Sequence, residues 1–124
     1  MNYAPFAVYV IGPLAGFPSK VGIAVDIKKR LESLQCSNWE RLYVHEVFWV
    51  ASKSSALKVE KLCKRRLKEF NIRGEWFNVF SDDMVKELEE IVDSLKKNNE
   101  IELGALKRKE NYAGMVEYEY DILD

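Results

Sequence analysis

The stretch VYVIG at residues 8–12 and the triplet KVG at residues 20–22 decide the fold of this chain. Both stretches are short, rich in β-branched residues, and bounded by glycine or proline, which is typical of strands that end in turns. The loop between them, PLAGFPS at 13–19, holds further turn residues. We therefore predict strands at 7–11 and 21–24 that pair as a β-hairpin.

The next two segments predict a helix and a third strand. Asp26 is suited to cap a helix over IKKRLESLQ, in which Ile27, Leu31 and Leu34 form one apolar stripe. Residues 42–50, LYVHEVFWV, alternate and are rich in aromatic side chains, which favours a strand. Strict alternation gives this strand two faces, with Leu42, Val44, Phe48 and Val50 on one and Tyr43, His45, Val47 and Trp49 on the other.

A helix rich in cations is predicted to run from Ser54 or Ser55, which are good N-cap residues, to about Phe70. The turn at Gly74 then leads back into extended structure through the motif GEWF at residues 74–77. The buried stripe of this helix is expected to consist of Val59, Leu62, Cys63, Leu67 and Phe70.

A third helix is predicted to start at Ser81 or Asp82 and to end near KKNN at residues 96–99. Its apolar stripe is expected to consist of Met84, Val85, Leu88, Ile91, Val92 and Leu95. The alternation of GMVEYEYDI, residues 114–122, is like that of a strand. Together these elements predict an α+β fold, with a three-stranded antiparallel sheet flanked by helices and an acidic C-terminal helix and tail.

Charge is divided unevenly along the 124 residues. Residues 1–80 hold 13 Lys/Arg and 7 Asp/Glu, whereas residues 81–124 hold 6 and 13. Such asymmetry indicates a polyanionic partner for the basic part, and solvated helix faces are the competing interpretation. We predict one domain at 1–80 and an acidic helix and tail at 81–124, packed on it or appended to it.

The sequence also indicates the cellular compartment. The chain lacks the run of about 18 apolar residues of a membrane span and lacks the basic start of a signal peptide, so we expect a cytoplasmic protein. Cys36 and Cys63 form no CxxC pair and are interpreted as free thiols. A single histidine and two cysteines argue against a zinc site.

Four residues have the chemistry that phosphodiester cleavage requires. The reaction needs a group that activates water, a cation for the phosphoryl charge, and usually a metal on a carboxylate. Tyr9 beside Lys20 suits the first need, because a nearby ammonium favours the phenolate, while Arg30 suits the second and Glu60 the third. Each also has a structural interpretation: Tyr9 as a strand aromatic, Arg30 as a surface cation, and Glu60 as the i,i+4 partner of Lys64.

The order and spacing of these residues resemble the GIY-YIG endonuclease superfamily, in its phage and bacterial branch, where lysine replaces the second tyrosine and GEWF closes the domain. AVY at residues 7–9 stands where the family has GIY, and KVG at 20–22 stands where it has YIG or KIG. Arg30 and Glu60 match the family arginine and metal-binding glutamate, and RGEWFNV at 73–79 matches the closing motif.

This resemblance implies a GIY-YIG-like nuclease domain at residues 1–80 that hydrolyses DNA with one divalent metal. Tyr9, its proton loss favoured by Lys20, would be the general base for the attacking water. Arg30 would hold the scissile phosphate, and Glu60 would bind one Mg²⁺ or Mn²⁺ near the leaving oxygen. Magnesium often takes only one or two protein carboxylates, so a lone glutamate is sufficient.

The chain departs from the family pattern on the metal helix. Relatives of this branch often have the pattern E-x-x-x-H on that helix, whereas this chain has Glu60 followed by Lys64. A histidine that could assist the metal or the leaving group is therefore missing. His45 is expected in the core or on the sheet surface. Asn78 is a candidate for an asparagine that some relatives place near the site, and Glu75 is expected to brace Arg30 or Arg73 rather than to bind metal.

A basic surface is predicted to bind DNA, and it consists of Lys58, Lys61, Lys64, Arg65, Arg66, Lys68 and Arg73. Such cations neutralise phosphates without reading sequence. The acidic C-terminal region is expected to form a homodimer, dock a protein partner or cover the basic surface. Two other functions stay open: a catalytically inactive GIY-YIG-fold module that binds DNA or protein, and a small interaction domain whose aromatic residues serve only the core.

Overall fold

A computed structural model describes residues 5–101, which form an α+β fold, as predicted. The strands are β1 (Phe6–Gly12), β2 (Ser19–Ala24), β3 (Tyr43–Val50), β4 (Asn71–Arg73) and β5 (Trp76–Phe77). The α-helices in this part of the chain are α1 (Ile27–Cys36), α2 (Lys53–Arg66) and α3 (Ser81–Lys97). A short 3-10 turn, Lys68–Phe70, follows α2.

The five strands form one antiparallel sheet in the order β3-β1-β2-β5-β4. The predicted β-hairpin of β1 and β2 is confirmed, with Tyr9 opposite Gly22 and Ile11 opposite Lys20. The prediction of three strands is wrong, because the segment around GEWF folds as a second hairpin and adds β5 and β4 to the edge of β2. Gly74 forms the turn of this hairpin with a φ of 56°, a conformation that glycine adopts readily.

The sheet is covered by helices on both faces. Val8 and Val10 of β1 pack in one apolar cluster with residues of α2 and α3. Tyr9 and Ile11 point to the opposite face, where they pack with Ile27 of α1. Successive residues of a strand point to opposite faces, so one stretch of β1 serves both clusters. This alternation puts Tyr9 on the face that α1 covers.

The predicted faces of β3 are only partly right. Val47 and Trp49 pack in the same cluster as Val44, whereas strict alternation places them opposite. The register shifts within the β1–β3 pair, since Val10 pairs with Glu46 while Ile11 pairs with Val44. His45 is thus an extra residue in β3, and such a β-bulge reverses the phase of every residue beyond it.

The helix predictions hold with two corrections in α2. This helix begins at Lys53 and is capped by the side chain of Ser52, not of Ser54 or Ser55. It ends at Arg66, and Phe70 lies beyond it with 45% of its surface exposed, so Phe70 is not part of the buried stripe.

The other two helices have the predicted cores. Asp26 caps α1 by accepting a hydrogen bond from the backbone N–H of Lys29, at 3.0 Å. Helix α3 buries Met84, Leu88 and most of its predicted stripe, with Val85 half-buried, and it ends at the predicted asparagines. Its N-cap is Phe80, which supplies no side-chain cap, instead of Ser81 or Asp82.

Within residues 5–101 the structure contains no helix with the length and apolarity needed to cross a membrane. The predicted strand at 114–122 and the acidic tail from residue 102 lie outside the described residues. The division into residues 1–80 and 81–124 stays a prediction. Helix α3 itself packs in the same cluster as β1, β2 and α2.

Candidate active site

Tyr9 lies at the centre of the candidate site and is fully buried in β1. The residue across from it in β2 is Gly22, and the space above Gly22 is filled by the ring of Tyr9. A Cβ atom on Gly22 would overlap the ring and hydroxyl of Tyr9 and would lie 3.0 Å from Oε1 of Glu75. The glycine of KVG therefore lets the Tyr9 hydroxyl reach the charged residues of the site.

Arg30, on α1, contacts this hydroxyl directly. Its Nε–H donates a hydrogen bond of 3.1 Å to Oη of Tyr9. Burial nevertheless raises the pKa of Tyr9 to about 12, since the contact with Arg30 only partly offsets it and the charges of Glu75 and Glu60 add to it. At neutral pH Tyr9 is a phenol, so the expected loss of its proton under the influence of Lys20 is not seen.

Lys20 pairs with Glu75 instead. Its Nζ lies 2.8 Å from Oε1 of Glu75 and 5.6 Å from the ring centroid of Trp76. Burial by itself raises the pKa of Glu75, but the hydrogen bond from Lys20 and the charges of Lys20, Lys64 and Arg30 outweigh it and lower that pKa. Glu75 is therefore a carboxylate at neutral pH, and it holds the buried lysine in place.

Glu60 joins the site from α2. Its side chain is 9% exposed, and its Oε2 lies 3.4 Å from Nζ of Lys64, one helical turn later. The same Nζ lies 3.6 Å from Oε2 of Glu75. Lys64 thus connects the buried carboxylate of α2 with the carboxylate between β4 and β5.

These contacts join all four predicted catalytic residues in one group, which we call the site cluster: Tyr9, Lys20, Arg30, Glu60, Lys64 and Glu75. Glu75 is its hub, because it contacts Lys20, Lys64 and, at 4.0 Å, Arg30. The expectation that Glu75 braces Arg30 is correct only for this long contact. The i,i+4 pairing of Glu60 with Lys64, which is the structural interpretation of Glu60, is present, whereas the contacts of Glu75 with Lys20 and with Lys64 were missed.

The residues present fit a divalent metal bound through a single protein carboxylate. A site with several protein ligands is not present, because the described residues contain no group of three or more His, Cys, Asp or Glu side chains that could hold a metal ion. A metal would therefore be held by one carboxylate. Glu60 is a nearly buried carboxylate, and magnesium accepts one or two carboxylates when water and phosphate oxygens complete its shell. The ammonium of Lys64 lies 3.4 Å from Oε2 of Glu60, the carboxylate that would hold the metal.

The basic surface is divided by ion pairs. Six of its residues are exposed, and Lys64 is half-buried in the site cluster. Arg66 contacts Glu87 at 3.2 Å and Glu90 at 3.6 Å, both on α3, while Lys58 contacts a glutamate just beyond α3. Within residues 5–101, four of these cations have no carboxylate partner: Lys61, Arg65, Lys68 and Arg73.

His45 and Asn78, the other candidate site residues, contact residues outside the site cluster. Nε2 of His45 is 2.7 Å from the carbonyl oxygen of Pro13, and Asn78 is exposed with its backbone N–H bonded to the carbonyl of Phe70. Both cysteines are free thiols, as predicted, and burial raises the pKa of Cys63 to about 12.

Comparisons with curated proteins and with solved structures gave no match. Comparison with protein families gave a match to the T5orf172 domain over residues 7–96. This domain is phage-associated and related to GIY-YIG and HNH-like nucleases. The matched range contains every residue of the site cluster and all of α3 except its last residue. The chain therefore belongs to the T5orf172 domain family.

Proposed function

We propose that this protein is a divalent-metal-dependent endonuclease that hydrolyses DNA phosphodiester bonds at the site cluster. The family supports a phage-type, nuclease-like or DNA-binding function. The observation that carries the finer proposal is the convergence of Tyr9, Lys20, Arg30 and Glu60 from four separate elements into one set of contacts. Buried charged groups are costly unless paired, so such convergence is typical of functional sites.

In the proposed reaction Arg30 binds the scissile phosphate. Its side chain is 41% exposed; its Nε donates to Tyr9 and its second terminal nitrogen lies only at the long distance of 4.0 Å from Glu75, so the guanidinium can still donate to phosphate oxygens. A planar guanidinium donates to such oxygens in pairs, which fixes the phosphate beside the Tyr9 hydroxyl.

Tyr9 is the proposed general base. Because its pKa is about 12, only a small fraction is phenolate at neutral pH, and that fraction accepts the proton of the attacking water. Lys20 contributes positive charge at the same face of the sheet, where Glu75 fixes its ammonium. Mg²⁺ or Mn²⁺ bound through Glu60 would stabilise the charge on the leaving oxygen.

A second candidate is a module of the same fold that binds DNA without cutting it. The neutral state of Tyr9 and the contact of Lys64 with Glu60 favour this alternative. Both functions use the basic surface, so DNA binding alone does not distinguish them.

Nicking of supercoiled plasmid in Mg²⁺ or Mn²⁺ at low salt tests the choice. We expect the wild type to cut and Arg30→Ala and Glu60→Gln to lose at least about a hundredfold in rate while still binding DNA. Lys28→Ala, an exposed cation of α1, and Glu69→Gln, an exposed carboxylate beyond α2, are matched controls that should cut normally. Equal behaviour of the site variants and the wild type would contradict the proposal, and DNA binding without any cutting would favour the module.

A further inference from the structure

Lys64 occupies a position that the other cations of the basic surface do not. Its Nζ faces two carboxylates from different elements, Oε2 of Glu60 at 3.4 Å and Oε2 of Glu75 at 3.6 Å. Glu60 is 7% exposed, and Lys64 is the cation that contacts it among residues 5–101. The ammonium of Lys64 therefore places one positive charge between these two carboxylates.

A metal ion at Glu60 must compete with this ammonium. A divalent cation binds carboxylate oxygens at about 2.0–2.6 Å, closer than an ammonium does, and it would place its charge beside that of Lys64. Two like charges at such a distance repel strongly where the surroundings are partly buried. A metal bound at Oε2 of Glu60 would therefore displace the ammonium of Lys64.

The side chain of Lys64 has an alternative partner in DNA. It is 32% exposed and lies on the same helix as Lys61 and Arg65. Its flexible aliphatic stem ends in an ammonium group with three N–H donors. A phosphate group bound at the site cluster would offer the ammonium a new anion. Its departure from Glu60 would free a carboxylate oxygen for metal.

We propose that Lys64 blocks the metal position at Glu60 in the free protein and that DNA phosphate draws it away, so that metal and DNA bind cooperatively. The inference rests on the proposed metal-dependent function. Coupling of this kind is reciprocal: DNA raises metal affinity by the same factor as metal raises DNA affinity. Typical coupling between two ligands amounts to about 5- to 150-fold in affinity.

Binding of Mn²⁺ to the protein without DNA, followed by calorimetry or by the electron paramagnetic signal of free Mn²⁺, tests this inference. Lys64→Met should bind Mn²⁺ at least about tenfold more tightly than the wild type. Lys86→Met, an exposed cation of α3, makes the same chemical change away from the site and should not alter the affinity. Lys64→Gln is a polar second variant, and it should show the same gain.

Two further measurements locate the effect. Glu60→Gln combined with Lys64→Met should lose the gain, since the freed carboxylate is then absent. A short duplex should raise the Mn²⁺ affinity of the wild type and not that of Lys64→Met, in Ca²⁺-free buffer and over a time in which no cleavage is detected. Unchanged Mn²⁺ affinity in Lys64→Met and Lys64→Gln, or a gain that persists without Glu60, would overturn the inference.

These outcomes are separate from those of the nuclease test. If Lys64→Met binds Mn²⁺ more tightly and neither it nor the wild type cuts DNA, the inference holds and the nuclease function fails. If the wild type cuts DNA and Lys64→Met binds Mn²⁺ no better, the nuclease function stands and Lys64 has no blocking role.

Discussion

Two groups of ion pairs that involve residues of α2 differ in composition and in burial. In the site cluster three cations from three elements surround the carboxylate of Glu75. At the end of α2, two carboxylates of α3, Glu87 and Glu90, contact Arg66. The side chain of Lys20 in the first group is 9% exposed, whereas that of Glu90 in the second is 70% exposed.

The difference separates a structural contact from a candidate functional one. Exposed ion pairs such as those of Arg66 are worth about 0–1 kcal/mol, because water screens them and long side chains lose freedom in forming them. In the site cluster the side chains of Lys20 and Glu60 are only 9% exposed, and breaking the ion pair of either one leaves a largely buried charge without its partner. The site cluster, two of whose residues lie against Gly22, is therefore the better candidate for a functional role.

The largest effect is expected from pH, and it tests whether buried Tyr9 is the base. The pKa of Tyr9 lies well above neutrality, so its phenolate fraction rises as pH rises. If this fraction accepts the proton, the cleavage rate increases about tenfold per pH unit, or about a thousandfold from pH 6 to pH 9. Single-turnover rates over this range measure it, and a plateau near pH 7 would assign the base to another group.

Gly22→Ala should produce the next largest effect by disturbing the site cluster without changing its charge. The added methyl group overlaps the ring and hydroxyl of Tyr9, so we expect at least about a hundredfold loss of cleavage and about 1–3 kcal/mol of stability. In a Tyr9→Leu background, where the ring is absent, the same change should cost less stability. Denaturant unfolding measures both values, and equal costs in the two backgrounds would contradict the packing argument.

Removing one carboxylate from each group compares how much the two groups contribute to the free energy of unfolding. Glu75→Gln leaves buried Lys20 without its anionic partner, and we expect a loss of about 1–3 kcal/mol in the free energy of unfolding at pH 7. Glu87→Gln is the matched change at Arg66 and should cost less than about 1 kcal/mol. Equal losses would remove the distinction between the two groups.

The stability lost in Glu75→Gln should depend on pH in acid. The folded-state pKa of Glu75 lies below its value in the unfolded chain, so its stabilising contribution is present above the unfolded pKa of about 4.3. It is lost as pH falls through the lowered folded-state pKa. The stability difference between wild type and Glu75→Gln should therefore shrink in acid.

The smallest effect concerns DNA affinity. Lys61 has no carboxylate partner within residues 5–101, so Lys61→Ala should reduce the slope of log affinity against log salt by about one. Arg66→Ala should change the slope less, because Arg66 must leave Glu87 and Glu90 before it meets a phosphate. Fluorescence anisotropy of a labelled duplex between about 50 and 200 mM salt compares them, and equal slopes would show that the ion pairs at Arg66 do not matter.

The parts of the fold that sequence predicts are those whose signal is local. Asp26 and the apolar stripe from Ile27 identify α1, and the periodic stripe from Met84 identifies α3, because each pattern depends on one helix alone. The bulge at His45 depends on how β3 meets β1, and no residue within β3 signals it. Strand β4 is exposed at all three residues, so it has no alternation to detect.

The candidate site divides in the same way. Tyr9, Lys20, Arg30 and Glu60 are named by their chemistry and spacing, and the structure brings them together. The hub is not predictable from chemistry, because Glu75 reaches Lys20 only through the pairing of β5 with β2. The pKa of Tyr9 was expected to fall beside an ammonium, but burial, a tertiary property, raises it.

Single-turnover cleavage of a labelled duplex by Tyr9→Phe, with DNA affinity and unfolding measured on the same protein, tests the catalytic site most directly. Tyr43→Phe removes a hydroxyl from the half-buried Tyr43 of β3 and is the matched control. We predict that Tyr9→Phe binds DNA and folds as the wild type does but cuts about 10²- to 10⁴-fold more slowly, while Tyr43→Phe cuts normally. Cleavage by Tyr9→Phe at the wild-type rate would contradict the assignment of this site.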